Sequence, residues 1–229
     1  MTTPSLLLLV ADGRFPAGAH AHSGGLEAAV AAGRVTDLAT LEAFLAGRLA
    51  TAGLVGAAFA AAAHRAVTSG SAVRGSTLAL LDAELDARTA APALRTVSRR
   101  QGRALLRAGR AIWPEASFDD LPATPGGAHQ PLVLGLLCAA AGLSRAETAT
   151  VAVHGTVTGA ASAAVRLLGL DPYRVQALLV GLAGRCDGTA AAAARAADDP
   201  PERLPAAAAP LADIHAEAHA TWEVRLFAS

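Results

Sequence analysis

Lysine and asparagine are absent from this 229-residue chain. Its 19 basic residues are therefore all arginine, and 19 acidic residues balance them. Without lysine the chain builds neither a Walker-type phosphate loop nor a Schiff base. A formal net charge of +0 argues against the broad positive footprint that grips nucleic acid or an anionic membrane. Cysteine is scarce. Cys138 and Cys186 lie far apart and form no C-x-x-C pair, so free thiols in a reducing compartment are expected. No basic stretch precedes "LLLLVA" (6–11), and Asp12 and Arg14 follow it, which is not the pattern of a secretory leader. The longest apolar runs, 49–63 and 131–143, fall short of the ~20 residues of a membrane span. The expectation is a cytoplasmic chain that neither enters a membrane nor binds nucleic acid.

Aromatic residues make up only 3%, yet hydrophobic residues reach 53%, above the usual ~45–50%. Alanine carries the excess. A core of small residues and close backbone approach follows, and the surplus apolar surface points to a protein that works in company.

Nearly all periodicity is helical, and β-branched alternation is missing. Helices are expected at 5–12, from Ser23 to Gly33, from Thr36 or Asp37 to His64 with a break near Gly53, and at 77–87. Pro92 opens a helix to residue 113, with Leu94, Val97, Leu105, Ala108 and Ile112 on an apolar face. Residues 114–131 are the main loop. A buried helix spans about 131–142. Ser144 and Glu147 form a capping box for a helix to Leu168. Asp171 and Pro172 start another to about Ala197. A turn covers 68–76, a linker 198–205, and a last helix 207–222. The expected fold is all-α, one domain over 1–229 with roughly eight to ten helices.

Several groups invite a chemical reading. His20 and His22 form H-x-H. Were that segment extended, both imidazoles would face one side and could grip one borderline cation. The competing reading is a glycine turn at Ser23, Gly24 and Gly25, with Ser23 capping a helix and Glu27 in its first turn facing the positive dipole end. His215 and His219 share a helical face, but "HAEAH" is not HExxH, and surface residues or a partner face are expected there. No nucleophile elbow supports a serine hydrolase. The cluster Arg95, Arg99, Arg100, Arg103, Arg107 and Arg110 has no stacking aromatics among it, so it reads as a solvated or protein-binding face. Gly155/Gly159 and Gly181/Gly184/Gly188 read as points of close helix approach.

On residues alone, a binding or scaffold role is reached by elimination. A generic helical adaptor, or a small helical enzyme using His22 and Ser23, stays open.

Five stretches in order resemble the UreF family of urease accessory proteins. They are "LLLLVADGRFPAGAHAHSGGLEAAVAAGRV" (6–35), "LRTVSRRQGRALL" (94–106), "HQPLVLG" (129–135), "RLLGLDPYRVQALL" (166–179) and "LADIHAEAHATWEVRLFAS" (211–229). The resemblance departs at His20, Ala93, Ala220 and Ala228, where the family more often has an aromatic, an acidic residue, a glutamate and an arginine. It implies an all-helical homodimer without a catalytic site or a tightly bound cofactor. It also implies binding to UreD (also called UreH), recruitment or regulation of the GTPase UreG, and nickel delivery to apo-urease. Carried over residue by residue, it makes Glu27, Arg95, Ser98, Gln101, Gly102, His219, Arg225, Leu226 and Phe227 candidate partner contacts. The Leu226–Phe227 pair is expected to be exposed, as a docking anchor for UreD. His20 and His22 become candidates for transient contact with nickel in transit.

Overall fold

In a computed structural model, the structure describes residues 4–70 and 72–229. Ser71, inside the turn expected at 68–76, lies outside the described residues. Ten α-helical segments make up the described chain. They are α1 (Pro4–Ala11), α2 (Leu26–Ala31), α3 (Leu38–Arg48), α4 (Leu54–Thr68), α5 (Arg74–Arg88), α6 (Pro92–Ile112), α7 (Gln130–Ala140), α8 (Arg145–Leu168), α9 (Pro172–Ala196) and α10 (Pro210–Ala220). No strand occurs among the described residues. The all-α expectation holds.

Local chemistry sets the boundaries. Asp37 caps α3, accepting from Thr40 N at 2.9 Å, while Thr40 Oγ1 reaches back to the Asp37 amide. Ser144 and Glu147 form the expected box at the start of α8, and Gly169 ends that helix at φ 63°. A left-handed residue there costs glycine little and closes the last turn. Asp171 accepts from Tyr173 N at 2.9 Å and opens α9. Near Gly53 the chain does not break. Leu49–Gly53 forms a π-helical turn, so α3 and α4 run on as one rod from Leu38 to Thr68. A Cβ on Gly53 would come within 3.0 Å of the Arg48 carbonyl oxygen, which is why glycine suits the widened turn.

α4 is the central helix. Ala57 to Ala63, Phe59 included, are all buried beneath α7, α8 and α9. A helix buried on all sides needs no polar face, which explains its unbroken apolar run. Phe59 is fully buried and contributes about 1.5–3 kcal/mol. Alanine and glycine set the spacing. A Cβ on Gly135 of α7 would overlap the Ala60 carbonyl oxygen. The Leu38–Thr68 rod and α8 are long and apolar enough to cross a membrane by length and composition, unlike the shorter runs counted in the sequence. In this fold α4 lies in the core and α8 lies against α4 and α9.

α6 packs on α7, and α10 lies across α6 and α2. Of the apolar face expected for α6, Leu105 and Ala108 are buried, whereas Ile112 is exposed.

Two expectations about glycines fail. Gly155 and Gly159 on α8, and Gly181, Gly184 and Gly188 on α9, have nothing within 4 Å of an added Cβ. They do not mediate close approach within this chain. The close approaches are at Gly102 and Gly135 instead, which meet backbone rather than open space.

Candidate functional site

The "HSGGLE" segment builds a socket, and the chain's last residues fill it. Gly24 and Gly25 take φ 64° and 87°. That left-handed pair turns the chain so that Ser23 Oγ accepts from the Glu27 amide at 3.2 Å. Gly25 is the residue at the helix cap, so Ser23 satisfies an early amide from two residues before the cap. Glu27 is buried in the first turn of α2.

Its carboxylate accepts three hydrogen bonds from the far end of the chain. His219 Nε2 donates at 2.9 Å, Leu226 N at 2.7 Å and Phe227 N at 3.0 Å. Beside it, Ser23 N and Ser23 Oγ both donate to the Ser229 main-chain oxygen at 2.7 Å. Ala228 N donates to Ala21 O at 2.7 Å, and His22 Nδ1 lies 2.7 Å from Ser229 Oγ. The Phe227 ring is buried beneath the Arg166 guanidinium, 4.7 Å from its centroid. Trp222 packs on the His219 ring at 4.7 Å.

Three expectations are corrected here. Phe227 is 4% exposed, so Leu226 and Phe227 are not an exposed pair; the outward apolar residues of the tail are Val224 and Leu226. His219 is buried on Glu27 rather than lying on a surface face. His20 and His22 are not in one extended strand, because Ala19–Ala21 is a 3-10 turn and only His22 has extended backbone. Both still line the same cleft, His20 exposed and His22 half-buried. Burial, then the charges of Arg100 and His20, pull the His22 pKa below 6.5. Among the described residues no group of three or more His, Cys, Asp or Glu is placed to hold a metal ion.

The second motif region fastens the main loop. Arg99 donates to Asp82 Oδ2 at 3.0 Å, Asp86 Oδ1 at 2.8 Å, Thr124 Oγ1 at 3.0 Å and Gly127 O at 2.6 Å. His129 is wholly buried. Its Nε2 donates to Asp86 at 3.1 Å, its amide donates to Asp82 Oδ1 at 3.0 Å, and its Nδ1 lies 3.0 Å from Ser98 Oγ. Gln130 N donates to the same Ser98 oxygen at 3.3 Å. Gly102 is buried, and a Cβ there would overlap the Ala128 carbonyl oxygen. Arg95 donates to Thr89 O at 2.7 Å, and Arg103 donates to Gly126 O. Arg99, Arg103 and Arg110 thus tie residues 119–127 to α6, Arg95 holds the turn before it, and Arg99 alone reaches deep, since Arg100, Arg103, Arg107 and Arg110 are exposed. Gln101 is half-buried at the cleft.

Sequence reasoning missed Asp82, Asp86, Thr124 and Arg166. Their partners are 17 or more positions away for Asp82 on Arg99, and 61 positions away for Arg166 on Phe227. The only local signal was Glu27 itself, a carboxylate set among apolar Leu26, Ala28 and Ala29.

Between α2, α3, α6, α8, α10 and the tail lies an open cleft of about 1520 Å³. The serine–histidine alternative finds little here. Ser23 is fully buried, its hydroxyl bonded to Ser229 O and to the Glu27 amide, while His22 Nδ1 pairs with Ser229.

Fold and site together define an all-helical protein whose motif residues fasten its two ends and its main loop around a wide cleft. The model of the UreF family matches residues 35–183. A protein of Mycobacterium sp. (strain JLS) named "Urease accessory protein UreF" is 47% identical over 229 residues, covering 100% of both chains. Its namesake in Mycolicibacterium vanbaalenii is 44% identical over the same span, again covering 100% of both. The one in Mycobacterium tuberculosis (strain H37Rv) is 47% identical over 189 residues, 82% of this chain and 83% of its own. This chain belongs to the UreF family. The family match begins after the socket and ends before the tail, but the full-length relatives span both.

Proposed function

We propose that the protein is a scaffold in urease maturation by nickel insertion. In this reading it is a cytoplasmic homodimer with no reaction of its own. It binds UreD (UreH), and with it recruits or regulates the GTPase UreG on apo-urease. The observation that carries the reading is the tail laid into the Glu27 socket. It holds Val224 (88% exposed), Arg225 and Leu226 (53% exposed) outward at the rim of the cleft. Ile214 and Leu211 on α10 are also exposed, at 64% and 47%. A rigidly presented apolar patch beside arginine is what a protein partner anchors on. Tyr173 and Val180, 84% and 76% exposed on α9, are a separate apolar face that supports self-association.

Nickel would be cargo, touching His20 and His22 in passing rather than resting in a ligand cage. The test is tagged co-purification with UreD and UreG, using the full chain, a chain lacking residues 222–229, and the variant Leu226→Glu. The full chain should retain both proteins, and each alteration should lose UreD. A folded full chain that retains neither overturns the reading.

A further inference from the structure

Arg48 ends α3, directly before the π turn, and points across to the socket. Its guanidinium donates to Gly24 O and lies flat against Gly24, close enough that a Cβ there would meet Nη2 at 2.9 Å. Nε is buried and has no hydrogen-bond partner. Among the described residues no carboxylate pairs with it; the Phe44 ring, 6.0 Å away, is its other neighbour. Arg48 as a whole is half-buried, but a cation whose Nε is sealed from water and which has no counter-ion is costly to keep, and a protein that needed only the Gly24 contact could make it with a neutral donor. Desolvation lowers the arginine to about 10.

The surroundings share its sign. Arg34, Arg100, Arg166 and Arg225 line the same cleft, and among the described residues none of them forms an ion pair. The acidic lining is Asp12 and Asp213, and Asp12 already lies 3.6 Å from Arg14. In a chain of zero net charge, one wide cleft is thus basic.

The geometry points to a docking groove for an acidic segment of a partner protein, with one carboxylate closing on Arg48 across Gly24. The cleft, at about 1520 Å³, takes a length of polypeptide rather than a single small anion. Two N–H groups of a planar fork suit a carboxylate. The outer arginines steer the segment and add salt dependence. The inference rests on the proposed scaffold reading only in taking the occupant to be a protein.

The experiment titrates the full chain with a fluorescent hexaglutamate peptide, against a hexalysine control and inorganic phosphate at matched ionic strength. Arg48→Met removes the charge and keeps the stem. Ala52→Glu, at an exposed position lining the same cleft, supplies a carboxylate from within. The expected result is saturable hexaglutamate binding that weakens with salt. Arg48→Met should weaken it by roughly 30-fold or more, and Ala52→Glu should also block it. Both variants should melt no lower than the parent. Parent-like binding by both folded variants, no binding by the parent, or a saturable phosphate isotherm that excludes the peptide would each overturn the proposal. Arg48→Met melting well below the parent while Ala52→Glu binds normally would assign Arg48 a structural role and also overturn it. None of these readings depends on UreD or UreG, so failure of the co-purification test leaves this one interpretable.

Discussion

His219 Nε2 lies 2.9 Å from a carboxylate oxygen of Glu27, 192 residues earlier in the chain. The same carboxylate receives the amides of Leu226 and Phe227. One side chain thereby fixes the angle of α10 and the path of the tail together. Replacing Glu27 by alanine strands three donors, two of them buried and one part-buried, each costing about 1–3 kcal/mol when left unpaired. Since the tail can swing into water to recover part of that, a net loss of about 2–4 kcal/mol is expected. Glu27→Gln keeps one acceptor and should lose less. Urea unfolding measures the difference, and amide exchange at 226–229 should become fast in Glu27→Ala while α4 stays protected.

The pH response has two windows. Burial raises the Glu27 pKa, but the hydrogen bonds from His219 and the two tail amides outweigh it and hold the carboxyl below 4.5. A lowered acid contributes stability that is complete above its unfolded value and lost as pH falls through the folded one. Tail release by this route is therefore an event of strong acid, below 4.5. His22, His64 and His129 act earlier. Burial is the largest cause for each and lowers each from 6.5; Arg100 adds to it at His22 and Arg99 at His129. The folded state prefers them neutral, so the unfolded chain takes up their protons first. Stability is complete above 6.5 and declines as pH falls below it. Urea midpoints should be level from pH 8 to 7 and drop between pH 6.5 and 5. A level midpoint across that lower range would show that these rings titrate freely.

What the sequence made legible was local. Asp37, the Ser144–Glu147 pair, Pro92 and Asp171 announce helix starts through atoms within four residues of one another. The turn at Gly24 and Gly25 was legible for the same reason. The roles of Glu27, Ser98, Gly102 and His219 were not, because each is set by an atom brought in by tertiary packing. Gly102 is the sharpest case. It sits in the middle of α6 with no local reason, and only the Ala128 carbonyl oxygen explains it. The arginine cluster is exposed at Arg100, Arg103, Arg107 and Arg110, as its regular spacing suggests, but Arg99 turns inward to Asp82 and the loop, which spacing alone does not reveal.

Glycine positions give a paired test. Gly102→Ala and Gly135→Ala each force a Cβ onto a backbone carbonyl, which no side-chain rotation relieves. Both should destabilise by about 2 kcal/mol or more. Gly155→Ala and Gly184→Ala lie in helices with open space at the Cβ, so each should stabilise the monomer by about 0.5–1 kcal/mol. Thermal melts of the four variants separate the two sets by sign. A variant of the second pair that gains stability yet shifts sedimentation to a smaller species would place that helix face in a self-association interface.

Arg99 should be the least replaceable arginine. Asp82 is 1% exposed, and Arg99, at 3.0 Å, is its ion-pair partner. Arg99→Ala leaves that carboxylate buried and unpaired, costing about 3–5 kcal/mol. Arg107→Ala, at an exposed position, should change stability by less than about 0.5 kcal/mol. Limited proteolysis gives an independent reading: cleavage within residues 114–129 should accelerate in Arg99→Ala and stay slow in Arg107→Ala.

The proposed passage of nickel is tested at His20 and His22. His22 Nδ1 is engaged by Ser229 Oγ, which leaves Nε2 as the ring nitrogen open to a passing cation, and His20 is exposed beside it. Two imidazoles bind nickel weakly and release it readily, as a transfer step requires and a storage site does not. Replacing both by alanine also removes the Ser229 contact, so Ser229→Ala is the control that removes that contact alone. Urease activation at limiting nickel should fall in the double variant and hold in Ser229→Ala, while excess nickel should restore the double variant. If the two variants lose activation equally, the histidines matter through the tail and not through the metal. If neither loses any, nickel does not pass this way.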